Sequence, residues 1–421
     1  MKSIYKILLI AFLLRVFLAF LVWHGDVNNH IDWGIRFWEY GPKEFYSANV
    51  WSFTWPNQPP GTMYLFAGIR KLFELLFSVF WFLNLKIPAF PSNIMFFLET
   101  NLYPALLKLP SILADLGIAY LIYRFLKDIK KEKLGILGAA VFLLNPVIWY
   151  NSSVWGQTDA VVNFFALLAF FLLLKRKLLL ATLSLILSFY IKASLLIFIP
   201  IFLIVAVRQK YKIVEVLKAV SLPLVIIGIL TLPFSGANPF GWLWDIYAKK
   251  VFIDQLQLIT ANAFNVWAFV AGIHAKTQTL LLGPLSYKVW GSILFGTSLI
   301  PTLYLVWKKQ DMKRVFWALS IVSLSSFMLL TNMHERYLYP FFPVFSVVAV
   351  LDRKLLPIYW GISGVSLLNL YNFWWTPKIQ GLIDLMSARD RLAPRILGFV
   401  NFSLYLSILS RFLRLFYARK I

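Results

Sequence analysis

The polar residues best able to do chemistry stand at the ends of apolar runs. The first group is His24-Gly25-Asp26-Val27-Asn28-Asn29-His30-Ile31-Asp32-Trp33-Gly34, directly after the first run. A carboxylate at that depth is partly desolvated yet reaches a water-facing substrate, which suits a general base taking a proton from a hydroxyl. The same residues also read as an ordinary solvated loop. In Trp51 to Thr62, Pro59-Pro60 is stiff and Gly61 lets the backbone turn into a following helix. Trp155-Gly156-Gln157-Thr158-Asp159 forms a tight polar turn between two apolar runs, where Asp159 serves equally as a helix N-cap. Lys192 interrupts an apolar stretch, so it either snorkels or binds an anion. His334-Glu335-Arg336-Tyr337 is either a salt-bridged turn or a phosphate contact, for which the planar Arg fork is suited. Asp115 lies inside an apolar run and reads better as the partner of a neighbouring helix than as a reacting group. One hydroxyl-activating carboxylate and two or three phosphate-grade cations together describe group transfer from a lipid phosphate.

The elements that must position these residues are membrane helices. Of 421 residues, 60% are hydrophobic and 14% charged, with a mean hydropathy of +0.74. Soluble domains carry roughly 25% charged residues, so a water-soluble globule is excluded and an all-α polytopic membrane protein is expected. The formal charge of +23 fits cytoplasmic loops enriched in Lys and Arg. No nucleic-acid signature accompanies it, so no nucleic-acid partner is expected. With no cysteine, disulfides, thiolate nucleophiles and Cys-ligated metals are excluded. The four histidines form no metal motif, and no P-loop or Rossmann pattern appears. Neither a metal nor a cofactor is expected.

The basic clusters set the topology. Lys127, Lys130, Lys131 and Lys133 form one, and Lys175-Arg176-Lys177 a second. The others are Arg208/Lys210/Lys212, Lys308/Lys309/Lys313/Arg314, Arg353/Lys354 and Arg411/Arg414/Arg419/Lys420. With Lys2, Lys6 and Lys218 they put 23 basic residues on the cytoplasmic side against five acids. Span 4–23 then exits the cytoplasm as a retained first helix, and 104–126 returns. The stretch 62–85 between them carries Arg70, Lys71 and Glu74, which are costly at bilayer depth. It is expected to lie in the outer interface, inside an external loop 24–103. Further spans are expected at 134–150, 160–174, 178–191, 193–207, 213–234, 285–307, 313–331, 338–351, 355–372 and 396–416. That makes about twelve, with both termini cytoplasmic and the polar motifs external. No separate soluble domain and no internal repeat is visible.

In this order the motifs resemble a known family. Gly25-Asp26, Trp33-Gly34, Gly41-Pro42, Phe45-Tyr46, Pro59-Pro60-Gly61 and Leu113-Ala114-Asp115 look like those of integral-membrane GT-C glycosyltransferases. Trp155 to Asp159, Asn262 to Ala268 and His334 to Tyr337 extend the likeness. The chain is similar to bacterial relatives of the GPI-anchor mannosyltransferases and, more distantly, of the dolichyl-phosphate-glucose glucosyltransferases. The likeness covers about 24–340. It implies a GT-C-like catalytic unit at 1–351, followed by C-terminal helices at 352–421 that carry no matching motif. It further implies a polyprenyl-phosphate sugar donor, mannose first and glucose next, an inverting displacement and no metal. The acceptor would be a glycan, glycolipid or protein, and the setting the lipid bilayer of the cytoplasmic membrane with the active site outside. Asp26 maps onto the family's catalytic base, with Asp32 as a second acid of poorer fit. Lys192, His334 and Arg336 would hold the donor phosphate. Glu335, Gln157, Asp159 and Asp115 would support the site. A different reading from the residues alone is a transporter or flippase of lipid-linked saccharides, which would favour inverted repeats and midplane polar groups.

Overall fold

The computed structural model describes residues 2–253 and 256–417, so Arg419 and Lys420 of the expected basic tail lie outside the described residues. Long apolar runs leave the backbone no solvent partner in a bilayer, and helices satisfy it internally. The helices are α1 (Lys2–Ala19), α2 (Asp26–Phe45), α3 (Pro60–Lys86), α4 (Ile94–Asp128), α5 (Glu132–Leu143), α6 (Pro146–Trp149), α7 (Asp159–Leu174), α8 (Leu178–Ile191) and α9 (Ile199–Arg208). They continue with α10 (Ile213–Ser235), α11 (Pro239–Asp245), α12 (Val266–Ala271), α13 (Tyr287–Lys308), α14 (Met312–Leu329), α15 (Phe341–Leu351), α16 (Leu356–Tyr371) and α17 (Gln380–Tyr417). Among the described residues the only strands are a two-residue pair, Leu281–Leu282 and Leu285–Ser286.

The core centres on α14 and α15. Val315 to Leu329 and Phe341 to Val350 are buried all round, as a helix enclosed by others must be when apolar on every face. Helices α4, α5, α13, α16 and α17 pack around this pair. By contrast, α10 and α13 expose long apolar faces, including Ile213, Leu217, Val225, Ile229, Ile293 and Ile300, as lipid-facing helices do.

Among the described residues, five helices are long and apolar enough to cross a membrane: α4, α10, α13, α14 and the stretch Gln380–Arg414 of α17. The number is six if α5 and the helix from Pro146 to Trp155, bent by 50°, count as one span. Three shorter apolar helices, Asp159–Leu174, Leu178–Ile191 and Ala193–Arg208, stand where short spans are expected. Most expected segments are thus found as helices, but α4 begins at Ile94 and not 104, α17 begins at Gln380 and not 396, and the expected span 134–150 is broken between Leu143 and Pro146, so that only five or six helices among the described residues are long enough to cross. At eleven residues, α15 is only about 17 Å long, and α1 carries Lys2, Lys6 and Arg15 among its eighteen residues.

The stretch 62–85 belongs to α3, which doubles back through 87–93 into the first turns of α4. Phe73 lies 5.1 Å from Tyr103, and Leu76, Phe77 and Phe80 cover Met95, Leu98 and Leu102. Further along α4, Lys108 Nζ donates to the carbonyls of Ala19 and Val22 at 2.8 and 2.6 Å, closing the end of α1. The hairpin therefore extends beyond that end and does not run alongside α1.

The two poles of the bundle differ. At one, Lys175 pairs with Asp128 at 2.7 Å, Arg176 reaches the Gln209 carbonyl at 2.8 Å and Arg208 stacks on Trp307. Several of the basic clusters thus meet there. At the other pole, the ends of α1, α8, α14 and α16 bring the polar motifs together.

Candidate functional site

Asp26 opens α2, and its side chain is 30% exposed. Its Oδ2 accepts from Gln157 Nε2 at 2.5 Å and from Trp155 Nε1 at 3.3 Å. His24 Nδ1 accepts the Asp26 backbone N–H at 3.1 Å and lies 3.4 Å from Oδ1. The turn that delivers Gln157 depends on Gly156, whose φ of +94° lies in the left-handed region that side chains disfavour. A Cβ there would also meet Val27 Cγ2 at 2.5 Å. Ser111 Oγ donates to the Gln157 carbonyl at 2.6 Å, and the Gly156 and Gln157 amides both bond to the Asn151 carbonyl.

Asp115 anchors this turn from below. Fully buried, it accepts from Arg15 Nε at 3.1 Å, Ser152 Oγ at 2.7 Å and Tyr339 Oη at 2.5 Å. It pairs with neighbouring elements, as the sequence suggests. Through Ser152 it holds the turn that ends at Gln157, and through Tyr339 the segment that carries Arg336.

Lys192 follows α8, and the Pro59-Pro60-Gly61 junction fixes its position. A Cβ on Gly61 would meet the Tyr190 carbonyl at 2.5 Å, and Thr62 Oγ1 donates to the Ile191 carbonyl at 2.6 Å. Lys192 Nζ bonds to Asp159 Oδ1 at 2.6 Å, with both side chains largely buried. It also stands 5.6 Å from the Tyr337 ring centre. Arg336 Nη1 donates to Glu335 Oε1 at 2.8 Å, while its Nε is buried and has no partner. The His334 backbone bridges to Ala261 and Asn262, and Asn262 Nδ2 reaches Glu335 Oε2 at 3.4 Å. His30 Nδ1, Asn151 Oδ1, Thr158 Oγ1 and Asp159 Oδ2 are likewise buried without partners. Orphaned polar atoms are rare in folded proteins and mark places where water or a ligand belongs.

The cations are therefore not free. Lys192 and Arg336 each hold a carboxylate, and with Asp26 the five ionised groups sum to one negative charge. Burial pushes the Asp26 carboxyl up, but the His24 ring, the Arg336 guanidinium and His30 together hold it well below the usual carboxylate range. Burial lowers His30 to about 4, aided by Lys192 and Arg336 and opposed by Asp26 and Asp159. His334 falls to about 3 through burial, Arg336 and Lys192, with Asp26 opposing. Both rings are neutral at pH 7, so each offers one N–H and no charge.

Asp26, His24, Trp155, His334, Glu335 and Arg336 line one open cavity of about 800 Å³, within the range of small-molecule sites. Lys192, Asp159, Gln157, Asp115 and Asp32 are not among its lining residues. Asp32 accepts from the Ser52 amide at 2.9 Å and from Arg36 at 3.3 Å, fastening the 51–54 loop to α2. Six residues after Asp26, it faces a different side of the helix. Sequence reasoning missed a further part of the cavity lining, made by His274, Asn372, Phe373, Trp374, Asp390 and Arg391. The Trp374 ring packs 5.0 Å from His24 and 5.3 Å from Trp155. The helices beyond 352 thus contribute directly to the cavity.

Among the described residues, no group of three or more His, Asp or Glu side chains is placed to hold a metal ion. No protein-family model matches the chain, and no curated protein matches it either.

Proposed function

We propose that the chain is an inverting glycosyltransferase. It would move a hexose, mannose before glucose, from a polyprenyl-phosphate donor to an acceptor hydroxyl at the outer face of the cytoplasmic membrane, on a GT-C-like bundle of about twelve spans. The observation that carries this reading is one cavity in which an ionised carboxylate, Asp26, faces a guanidinium, Arg336, whose Nε lacks a partner. In the reaction the acceptor oxygen attacks the anomeric carbon from the face opposite the phosphate. The bond from that carbon to the phosphate oxygen breaks, the electron pair leaves with the phosphate, and the acceptor proton goes to Asp26. Single displacement inverts the centre, as in inverting glycoside chemistry. Arg336 offsets the charge growing on the leaving phosphate, and neutral His334 adds an N–H.

The lowered pKa of Asp26 guarantees the ionised form but makes it a weak base in the empty site. A donor phosphate would change this. By occupying Arg336 it removes one of the groups that hold the carboxyl down, so basicity rises once the donor is bound. Lys192 would act by fixing Asp159 and Tyr337 beneath the phosphate.

The test is to incubate purified protein with radiolabelled polyprenyl-phosphate mannose or glucose and follow label into acceptor. Transfer that is lost in Asp26→Asn supports the reading. Movement of intact lipid-linked sugar across a vesicle without bond cleavage supports a flippase instead.

A further inference from the structure

Part of the cavity lining is built by residues that the donor chemistry does not use. His274 Nε2 lies 3.4 Å from Asp390 Oδ2. The Arg391 guanidinium stacks 4.1 Å from the Phe373 ring centre, and its Nη1 donates to the Ile273 carbonyl at 3.3 Å. These groups come from two stretches far apart in sequence, yet they line the same cavity as Asp26 and Arg336. The Asp390 side chain is 72% exposed, which leaves carboxylate lone pairs open to the cavity mouth.

The backbone here is held in an unfavourable conformation. Arg389, Asp390 and Arg391 have φ of 49°, 54° and 60°, three successive side-chain-bearing residues in the left-handed region. Such a run is disfavoured for L-residues and breaks α17. Strained backbone persists where the surroundings impose it and clusters at ligand sites. Here the run includes the two residues of α17 that line the cavity, Asp390 and Arg391.

We propose that His274, Phe373, Asp390 and Arg391 form the acceptor subsite, and that it takes an uncharged saccharide. This rests on the glycosyl-transfer reading above. The charges of Asp390 and Arg391 cancel, so neither an anion nor a cation is favoured. Sugar hydroxyls both donate and accept, matching a carboxylate, an imidazole and a guanidinium side by side. The Phe373 ring, 43% exposed, offers an apolar face to a pyranose. A ring held there shares the cavity with Asp26, to which one of its hydroxyls would be presented.

Two measurements test this and separate its failure from that of the transfer reading. The first is saturation-transfer NMR on the full chain in detergent, with methyl α-mannoside, methyl α-glucoside and methyl α-galactoside as probes. Ring-proton signal from at least one sugar is expected, reduced at least fivefold in Asp390→Asn/Arg391→Ala and in Phe373→Ala. Arg411→Ala, which lies on a separate groove formed with Ile358 and Leu406, should leave it unchanged. The second is transfer from polyprenyl-phosphate mannose to octyl α-mannoside, where the same variants should raise the acceptor KM at least fivefold without changing the donor KM. Sugar binding without any transfer keeps the subsite and removes the transferase. Transfer with an unchanged acceptor KM in these variants, or no ring-proton signal from any probe, overturns the subsite.

Discussion

Gln157 Nε2 donates to Asp26 Oδ2 across 131 residues of sequence, joining the turn before α7 to the first residue of α2. This bond fixes which carboxylate oxygen stays free. With Oδ2 engaged by Gln157 and Trp155, Oδ1 is left beside His24, and it is the oxygen that the proposed transfer would use.

Replacing the carboxylate should cost more than replacing its holder. Asp26→Asn removes the proton acceptor, and base catalysis is worth typically ~10²–10⁴-fold. Turnover should fall by at least about 10²-fold while donor binding, read by photocrosslinking, survives. Gln157→Leu loses one charge-assisted hydrogen bond, worth about 1.5–3 kcal/mol, and should lower turnover by about tenfold or somewhat more. Near-normal turnover in Asp26→Asn would remove Asp26 from the mechanism.

The two cations should separate. Arg336 lines the cavity and also holds Glu335, so Arg336→Ala should weaken donor binding about 10- to 100-fold, matching a charge-assisted contact of about 1.5–3 kcal/mol. Lys192 is not among the cavity-lining residues and is committed to Asp159. Removing it strands a buried carboxylate, a change that costs about 3–5 kcal/mol in buried pairs. Thermal unfolding of Lys192→Met should show this loss, and Lys192→Met/Asp159→Leu should recover most of it. Equal thermal midpoints in the single and double variants would contradict the pairing.

His30 and His334 titrate near 4 and 3 in the folded protein, below the unfolded value of about 6.5. The unfolded state therefore binds more protons between those limits. Stability should hold above about pH 6.5 and fall as the pH drops toward 4, by at most about 1.4 kcal/mol per pH unit for each ring. Melting curves of the detergent-solubilised protein from pH 4.5 to 8 check this, and His30→Phe should flatten the acid limb. Donor affinity should stay level from pH 6.5 to 8, because neither ring changes charge there.

Membrane orientation is testable without substrate, since the chain has no cysteine to mutate away. Cysteines at Lys131 and Lys309 should react with an impermeant thiol reagent only in opened cells. Those at Ser47, Ser92 and Gly236 should react in intact cells. Labelling of Ser92→Cys only after opening would make α3 a crossing helix and separate Asp26 from Arg336 in the topology.

Much of the scaffold is legible because apolar run length limits helix length. Helices α7, α8, α10, α13 and α14 begin and end within two residues of the hydrophobic segments that announce them. The convergence of Asp26, Gln157, Lys192 and Arg336 at one pole follows from alternating span direction. What run length cannot carry is rotation about an axis and partner choice across the bundle. Asp32 turns away because α2 is helical from Asp26 onward, which the polar composition of that stretch hides. The neutralisation of Lys192 depends on Asp159, 33 residues earlier. Phe373 comes from the turn after α16, and Asp390 and Arg391 from the break in α17, both segments without any motif.

Asp115 ties Arg15, Ser152 and Tyr339 to one point beneath the cavity, so the plate bearing the carboxylate and the guanidinium moves as a single piece or not at all. The other side of the cavity shares that frame: Tyr150 Oη donates to the Thr376 carbonyl at 2.6 Å, the Trp374 ring packs on His24 and Trp155, and the Ala261 amide donates to the Met333 carbonyl at 3.0 Å. The cavity is thus a socket cut into one rigid block, and its width is set by the bundle before anything enters it.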